Sequence, residues 1–342
     1  MSLMPKSDGT EPALKLPPRH VVILATPSAQ SLELAGPVEV FAMATAKLRE
    51  AGREHNGGYS VEVVSATDDL VIKSSSGLTI LAQHCWRNLD RQIDTFLVAG
   101  GMEIWTGADQ PDLLPWIREQ AKNARRFGSI CTGAFVLAEA GLLTHRRVTT
   151  HWYFCQLLQR SYPDLVVDSE PIFIKEGTLY TSAGVTSGID LAVSLVEEDF
   201  GMDIALRIAR SLVLFLRRSA SQNQFSTALA FQESSRIPLR ELPIFVLERL
   251  RDPLTVEELA HRVSMSVRNF SRLFVQEFGV TPAVFVERLR LETARRLVEE
   301  SSRSFDQIAA DCGLGSIDSL TRAFVKAFHN TPAQLRKSAK RR

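Results

Sequence analysis

TVEELAHRVSMSVRNFSRLFVQEFGVTP, residues 255–282, and SFDQIAADCGLGSIDSLTRAFVKAFHNTP, residues 304–332, are two copies of one pattern. Each has a short apolar-periodic segment, a turn, a longer amphipathic segment and a stop that ends in Thr-Pro. Phe274, Phe278 and Pro282 pair with Phe324, Phe328 and Pro332 at an offset of 50, whereas Leu259 and Ala260 pair with Ile308 and Ala309 at 49. The second copy therefore has one extra residue in its turn, within Gly313-Leu314-Gly315-Ser316. The spacing predicts two helix-turn-helix units joined by one helix over residues 283–300.

Local chemistry agrees with that division. Thr255 and Ser304 are suited to cap the first helices and Ser266 and Ser316 the second, because a side-chain oxygen there accepts an amide hydrogen of the first turn. Gly279 and Asn330 stand where the second helices should stop, and both tolerate a left-handed conformation. Leu259, Val263, Val267, Phe270, Phe274 and Phe278 are expected to form the first core. Ile308, Cys312, Ile317, Leu320, Phe324 and Phe328 are expected to form the second. The polar faces left over are Ser266, Arg268, Asn269 and Arg272 in one unit, and Ser316, Asp318, Ser319, Arg322 and Lys326 in the other. Arg suits guanine, Asn adenine and Asp cytosine N4; any one of these residues could equally contact only phosphate or water. The joining helix, with Arg288, Arg290, Arg295 and Arg296, reads as a spacer between two helices about 34 Å apart, one duplex turn.

Charge supports the same division, with little weight. Residues 236–342 hold 19 Lys and Arg against 13 Asp and Glu, while the whole chain of 342 residues is only +1. A basic end thus sits on an acidic body, as expected of a nucleic-acid reader attached to another function. The run MSVRNFSRLFVQEFGVTPAVFVERLRLETARRLVE, followed by IAADCGLGSIDSLTRAFVKAF, closely resembles the AraC-type DNA-binding domain over about residues 243–337. Leu314 departs from that family, which usually has an aromatic residue there. A looser turn with DNA binding retained is the expected consequence.

The remainder is long enough for a second domain. HVVILA, residues 20–25, is a short apolar run that fits a buried parallel strand. Further strands are expected at 59–65, 95–98, 127–130 and 147–150. Helices are expected at 32–53, 113–124, 133–140, 152–160 and 201–217. Alternation of this kind implies an α/β, flavodoxin-like parallel sheet with helices on both faces, ahead of the all-α C-terminal domain. Ligands in such sheets sit at the carboxyl ends of strands. There the sequence places Gly100 and Gly101, Cys131 followed by Thr132, and His151, with Glu33 just after the first strand. A cysteine at a strand-to-helix turn lies near a helix N-terminus, which favours thiolate. Bland alternatives exist: Cys131 as an inert core residue, Glu33 as a helix-start carboxylate, and His151 as a cap. Trp105, Trp116 and Trp152 fit core or interface better than a cation cage. TSAGVTSG, residues 181–188, fits tight packing before a helix opening at Ile189 better than the alternative, that its glycines and hydroxyls line the pocket or a dimer surface.

These positions resemble the ThiJ/PfpI superfamily, relatives of class I glutamine amidotransferase domains, over about residues 20–199. The resemblance places Glu33 at the acid after the first strand, Cys131 at the elbow cysteine, His151 near it, and Gly100 and Gly101 in an oxyanion-like cradle. Thr132 departs from members with His after the elbow cysteine, although isonitrile hydratase-like members also have Cys-Thr. A domain of this kind ahead of an AraC-type domain resembles the GlxA-type transcriptional regulators. That resemblance implies a cytoplasmic, ligand-responsive DNA-binding regulator and an activator of metabolic genes. Its implied partners are promoter repeats in double-stranded DNA, a small effector of nitrogenous type, and a second copy joined through the N-terminal domain. Contact with RNA polymerase is a further expectation. The alternatives are a Cys131-dependent hydratase or amidase, and a redox-sensing regulator.

The expected division is a loose tail at 1–18, a sensing and dimerisation domain at 19–217, a linker at 218–240 and a DNA-binding domain at 241–342. The four cysteines lack metal-ligand spacing, and no cofactor, metal site, catalytic residue or membrane association is expected.

Overall fold

The structure is a computed structural model that describes residues 16–27, 29–214, 224, 239 and 241–341. The chain forms two compact units, Met1–Ser221 and Gln222–Arg342. Most of the expected linker, 218–240, lies outside the described residues, as do residues 1–15 of the expected tail and 215–217 of the helix expected at 201–217. Two edges of that division change. Leu16, placed in the tail, donates its N–H to the His55 carbonyl at 2.9 Å. Leu239, placed in the linker, is fully buried in the core of the second unit.

The first unit is a seven-stranded sheet, in order β10-β11-β7-β6-β1-β2-β5. In chain order its elements are β1 (Arg19–Ala25), α1 (Ser31–Glu50), β2 (Tyr59–Ser65), β3 (Val71–Lys73), β4 (Thr79–Leu81), β5 (His84–Cys85), β6 (Thr95–Ala99), α2 (Leu113–Asn123), β7 (Arg126–Ile130), α3 (Gly133–Glu139), β8 (Arg147–Val148), α4 (Trp152–Ser161), β9 (Val166–Val167), β10 (Phe173–Glu176), β11 (Leu179–Ser182), α5 (Thr186–Phe200) and α6 (Met202–Ser211). Within the seven-stranded sheet all pairings are parallel except the edge pair β10–β11. β1 is buried on both faces: Val21, Ile23 and Ala25 join the core under α1, α5 and α6, while Val22 and Leu24 join the core under α2, α3 and α4. That explains why its sequence is continuously apolar rather than alternating. The strand order reverses at β1, between β2 and β6, and the crevice at such a reversal is where ligands bind in open α/β sheets.

Several expectations shift. The strand expected at 147–150 is only Arg147–Val148, and it pairs with β9 outside the main sheet. The strands β10 and β11 were not foreseen. TSAGVTSG ends β11 and then turns into α5 at Thr186, three residues before Ile189. Trp116 packs against Trp86 and Phe96 in the core, whereas Trp152 is exposed.

The second unit is helical: Leu242–Glu248, Val256–Arg262, Val267–Phe278, Pro282–Glu300, Phe305–Asp311, Ile317–Phe328 and Pro332–Arg341. Its apolar residues form two separate cores. One joins Leu239, Leu242, Leu259, Phe270, Phe274 and Phe285. The other joins Leu291, Ala294, Val298, Ile308, Leu320 and Phe324. All four expected caps accept the amide of the residue three along: Thr255 from Glu258, Ser266 from Asn269, Ser304 from Gln307 and Ser316 from Ser319. Gly279 is left-handed as expected (φ 68°), but the second stop is His329 (φ 53°), not Asn330. His329 is the true repeat partner of Gly279. Val267 and Ile317, assigned to the cores, are instead exposed. Each directly follows an N-cap, where the side chain points away from the unit's interior. Leu314 packs, partly buried, against the second core.

Candidate ligand site and nucleic-acid interface

The crevice at the reversal is built from four strand ends. After β1, Thr26 donates its N–H to the Ala99 carbonyl, and Gln30 donates to Gly100 at 3.1 Å. This stitches the start of α1 to the end of β6 and points Glu33, in the first turn, into the interior. Pro37 lies four residues on and lacks an N–H, so it removes the helical donor that the Glu33 carbonyl would accept. Glu33 is fully buried. Its Oε1 accepts from Val185 N–H at 3.4 Å, and the Cys131 thiol faces the same carboxyl. Burial raises the Glu33 pKa from 4.5 to about 8, so the carboxyl is protonated at neutral pH.

Cys131 follows β7 directly and has φ 57°, the left-handed region that a residue with a side chain enters at a cost. The turn is held by Cys131 N–H to the Ser182 carbonyl at 3.0 Å and by Thr150 Oγ1–H to the Cys131 carbonyl at 2.8 Å. Gly184 closes the other side: a Cβ there would lie 2.3 Å from Cys131 Cβ. The thiolate expected from the helix terminus does not form. Burial comes first, and the Glu33 carboxyl second, in pushing the thiol well above its usual range. Desolvation of a fully covered sulfur outweighs the pull of a seven-residue helix.

The glycine cradle is corrected as well. Gly100 N–H donates to the Ile130 carbonyl at 3.1 Å, and Gly101 N–H donates to Thr132 Oγ1 at 2.9 Å. Thr132 returns its hydroxyl hydrogen to the Gly101 carbonyl at 2.7 Å. Both amides are engaged within the fold instead of facing a reacting oxygen. The pair matters for packing, since a Cβ on Gly100 would sit 2.2 Å from Thr132 Oγ1. His151 caps α4, with Nδ1 accepting from Tyr153 N–H, and its half-buried ring lies beside Trp152 and Phe154. Desolvation lowers its pKa, which keeps it neutral. It adjoins the elbow through Thr150 rather than through its own ring.

Glu33, Gly100, Gly101, Cys131 and Thr132 are thus brought together, with His151 at the margin. Sequence reasoning missed Thr26, Gln30 and Val185, and offered Gly184 only as one glycine of the run 181–188. Thr26 Oγ1, Gln30 Oε1 and Glu33 Oε2 are buried without a close hydrogen-bond partner. Val185 has φ 51° and ψ −120°, strained for a β-branched residue. The small-residue run 181–188 was the available signal, but nothing in it says that it packs on Cys131.

In the second unit the chosen polar residues lie on the surface. Ser266, Arg268, Asn269, Arg272, Ser316, Asp318, Arg322 and Lys326 are exposed, and Ser319 is partly so. Arg272 donates to Asn269 Oδ1 at 3.1 Å, and Arg322 to Ser319 Oγ at 3.4 Å. Each helix therefore steadies one arginine by a residue a turn earlier. At the 50-residue offset the cap Ser266 coincides with Ser316 and Arg272 with Arg322, whereas Arg268 faces Asp318 and Asn269 faces Ser319. Val267 and Ile317 add an exposed apolar group to each face, of a kind that meets a thymine methyl.

Residues 19–198 match the DJ-1/PfpI family and residues 259–338 match the helix-turn-helix domain. The HTH-type transcriptional regulator CdhR of Pseudomonas aeruginosa is 34% identical over 296 residues, 86% of either chain. The HTH-type transcriptional regulator GlxA of Rhizobium meliloti is 29% identical over 269 residues, 78% of this chain and 82% of the relative. The isonitrile hydratase of Pseudomonas putida is 34% identical over 188 residues, 54% of this chain and 74% of the relative. The chain belongs to the DJ-1/PfpI family, in the group whose members carry a C-terminal AraC-type helix-turn-helix domain.

Proposed function

We propose that this protein is a cytoplasmic, ligand-responsive transcriptional regulator that binds double-stranded DNA through Val267–Phe278 and Ile317–Phe328. The observation that carries the proposal is the pair of capped helices, each presenting an exposed face with one steadied arginine. The two faces differ, so one subunit reads an asymmetric site and a dimer reads a repeat of it. The crevice around Glu33 and Cys131 is the effector site. Its unpartnered Gln30 Oε1 suits a small polar metabolite that presents a hydrogen-bond donor, as a nitrogenous compound does. The effector acts by binding one dimer arrangement more tightly than the other, since equal affinity shifts nothing. Dimerisation through the N-terminal domain, activation and contact with RNA polymerase belong to the same proposal.

Enzymatic turnover at Cys131 is not part of it. A protonated, covered thiol and a cradle whose amides are already engaged support binding over catalysis. Arg268→Ala and Arg322→Ala should each weaken specific DNA affinity, by about 1–3 kcal/mol where the side chain reads a base edge. Titration of labelled DNA at fixed salt measures this. Unchanged affinity in both variants would remove the proposed docking faces.

A further inference from the structure

The two helix-turn-helix cores are not one core. Phe285, Val286 and Leu289 of the joining helix belong to the first, and Leu291, Ala294 and Val298 of the same helix belong to the second. The changeover falls at Arg290. Apolar packing therefore holds each unit together but leaves their mutual placement to a single helix and whatever polar contacts bridge it.

Arg290 makes that bridge. Its Nε–H donates to the Leu250 carbonyl at 3.2 Å, and its NH2 group donates to the Asp252 carbonyl at 2.5 Å. Those carbonyls follow the first helix of the unit, Leu242–Glu248. The same guanidinium lies against the turn of the second helix-turn-helix: a Cβ on Gly313 would be 2.9 Å from Arg290 Cζ and 2.1 Å from the Leu250 oxygen. Gly313 occupies the repeat position of Ser264, which is also left-handed (φ 64° and 55°). A side chain fits in the first turn and is forbidden in the second, because the Leu250 backbone presses against it. Beside this contact Asp311 of the second helix-turn-helix is paired with Arg251, ahead of the first, and, at 2.7 Å, with Arg303.

We infer that Arg290, wedged between the Leu250–Asp252 carbonyls and the Gly313 turn, is a positioning residue that fixes the spacing of the two DNA-reading helices. A planar fork with fixed donors suits this task, since it holds two carbonyls at once and keeps its charge when partly buried. The inference rests on the DNA-binding function proposed above. Rigid linkage makes engagement of the second subsite intramolecular, and that advantage is lost when the geometry is free or mismatched.

The test uses the full chain and DNA enriched from a random pool by the unmodified protein. Affinity is measured for the enriched site, for versions with one base pair added or removed between its two subsites, and for a site with only one subsite intact. The unmodified protein should lose about tenfold or more on a one-base-pair change. Arg290→Ala should bind the enriched site about tenfold more weakly and show a flattened spacing profile, with single-subsite binding unchanged. Arg272→Ala should weaken every spacing alike and keep the profile. Asp311→Asn, which removes the two flanking ion pairs with Arg251 and Arg303, should flatten the profile partially and serves if Arg290→Ala does not fold. A spacing profile as sharp in Arg290→Ala or in folded Asp311→Asn as in the unmodified protein overturns the inference while leaving DNA binding intact. Failure to enrich any DNA overturns the DNA-binding function and this inference with it.

Discussion

The crevice around Cys131 and the two DNA-facing helices are built on opposite principles. The crevice gathers Thr26, Gln30 and Glu33 with residues 100–101, 131–132 and 182–185, which meet only because β1, β6, β7 and β11 lie side by side. It is covered, holds a protonated carboxyl and contains two strained residues, Cys131 and Val185. The DNA-facing helices are assembled from neighbours in sequence: caps three residues apart, arginines steadied three residues back. Their functional atoms are exposed. A site of the first kind is shaped by contacts that tolerate no added atom. A site of the second kind can vary its side chains freely while its caps and core persist, as the mismatch of Arg268 with Asp318 shows.

The largest expected effect breaks the contrast if it fails. A Cβ on Gly133 would stand 2.0 Å from the Val98 carbonyl oxygen, so α3 must lift off β6 to admit it. Gly133→Ala should cost about 3 kcal/mol or more, or prevent folding of the first unit. Gly279, left-handed but with nothing within 4 Å of an added Cβ, is the control from the second unit. Gly279→Ala should cost only about 1–2 kcal/mol, the strain of the left-handed conformation. Denaturant melts followed in both variants decide the matter. Equal costs would mean that the crevice is no more tightly packed than the helix stop.

A smaller effect sharpens the contrast through pH. Glu33 has its folded pKa raised from 4.5 to about 8. Between those values the unfolded chain has lost the proton that the folded chain keeps. The unfolded state therefore binds fewer protons, and stability falls as pH rises through the window, levelling above about 8. The total loss is on the order of several kcal/mol. Glu33→Gln keeps the shape, removes the titration and should flatten the dependence between pH 5 and 8. A melting profile with the same slope in the variant would show that Glu33 is charged in the folded protein.

The two regions also differ in how far sequence discloses them. The helical repeat shows every cap and the first stop, because capping depends on residues three or four apart. One slip there, Asn330 for His329, came from residue type overriding register: the 50-residue offset already pointed to His329. Burial was misjudged at Val267 and Ile317 because helical periodicity ignores that the first residue after a cap faces outward. In the first unit, β1 and the elbow cysteine were legible from an apolar run and a turn. The engagement of Gly100 and Gly101 by Ile130 and Thr132 was not, since it depends on the pairing of β6 with β7. Nor was the thiol state of Cys131, which is decided by burial under Gly184 and the Glu33 carboxyl. A two-residue strand such as β8 carries too little pattern to be separated from the main sheet.

The smallest expected effect tests whether the second unit is as local as its hydrogen bonds imply. Ser304 heads a reciprocal cap: its Oγ accepts from Gln307 N–H at 3.2 Å, and Gln307 Oε1 accepts from Ser304 N–H at 3.1 Å. Ser266 has only one such bond, at 3.4 Å, and it is exposed. Ser304→Ala should therefore cost about 1 kcal/mol, and Ser266→Ala a few tenths. Hydrogen exchange should place the loss in the first turn of Phe305–Asp311 for the former and of Val267–Phe278 for the latter, with amides of the β1–β6 crevice unchanged in both. Weakened protection around Glu33 or Cys131 in either variant would mean that the cap is coupled to the crevice. The local architecture of the second unit would then be insufficient to account for its stability, and the contrast drawn between the two regions would have to be given up.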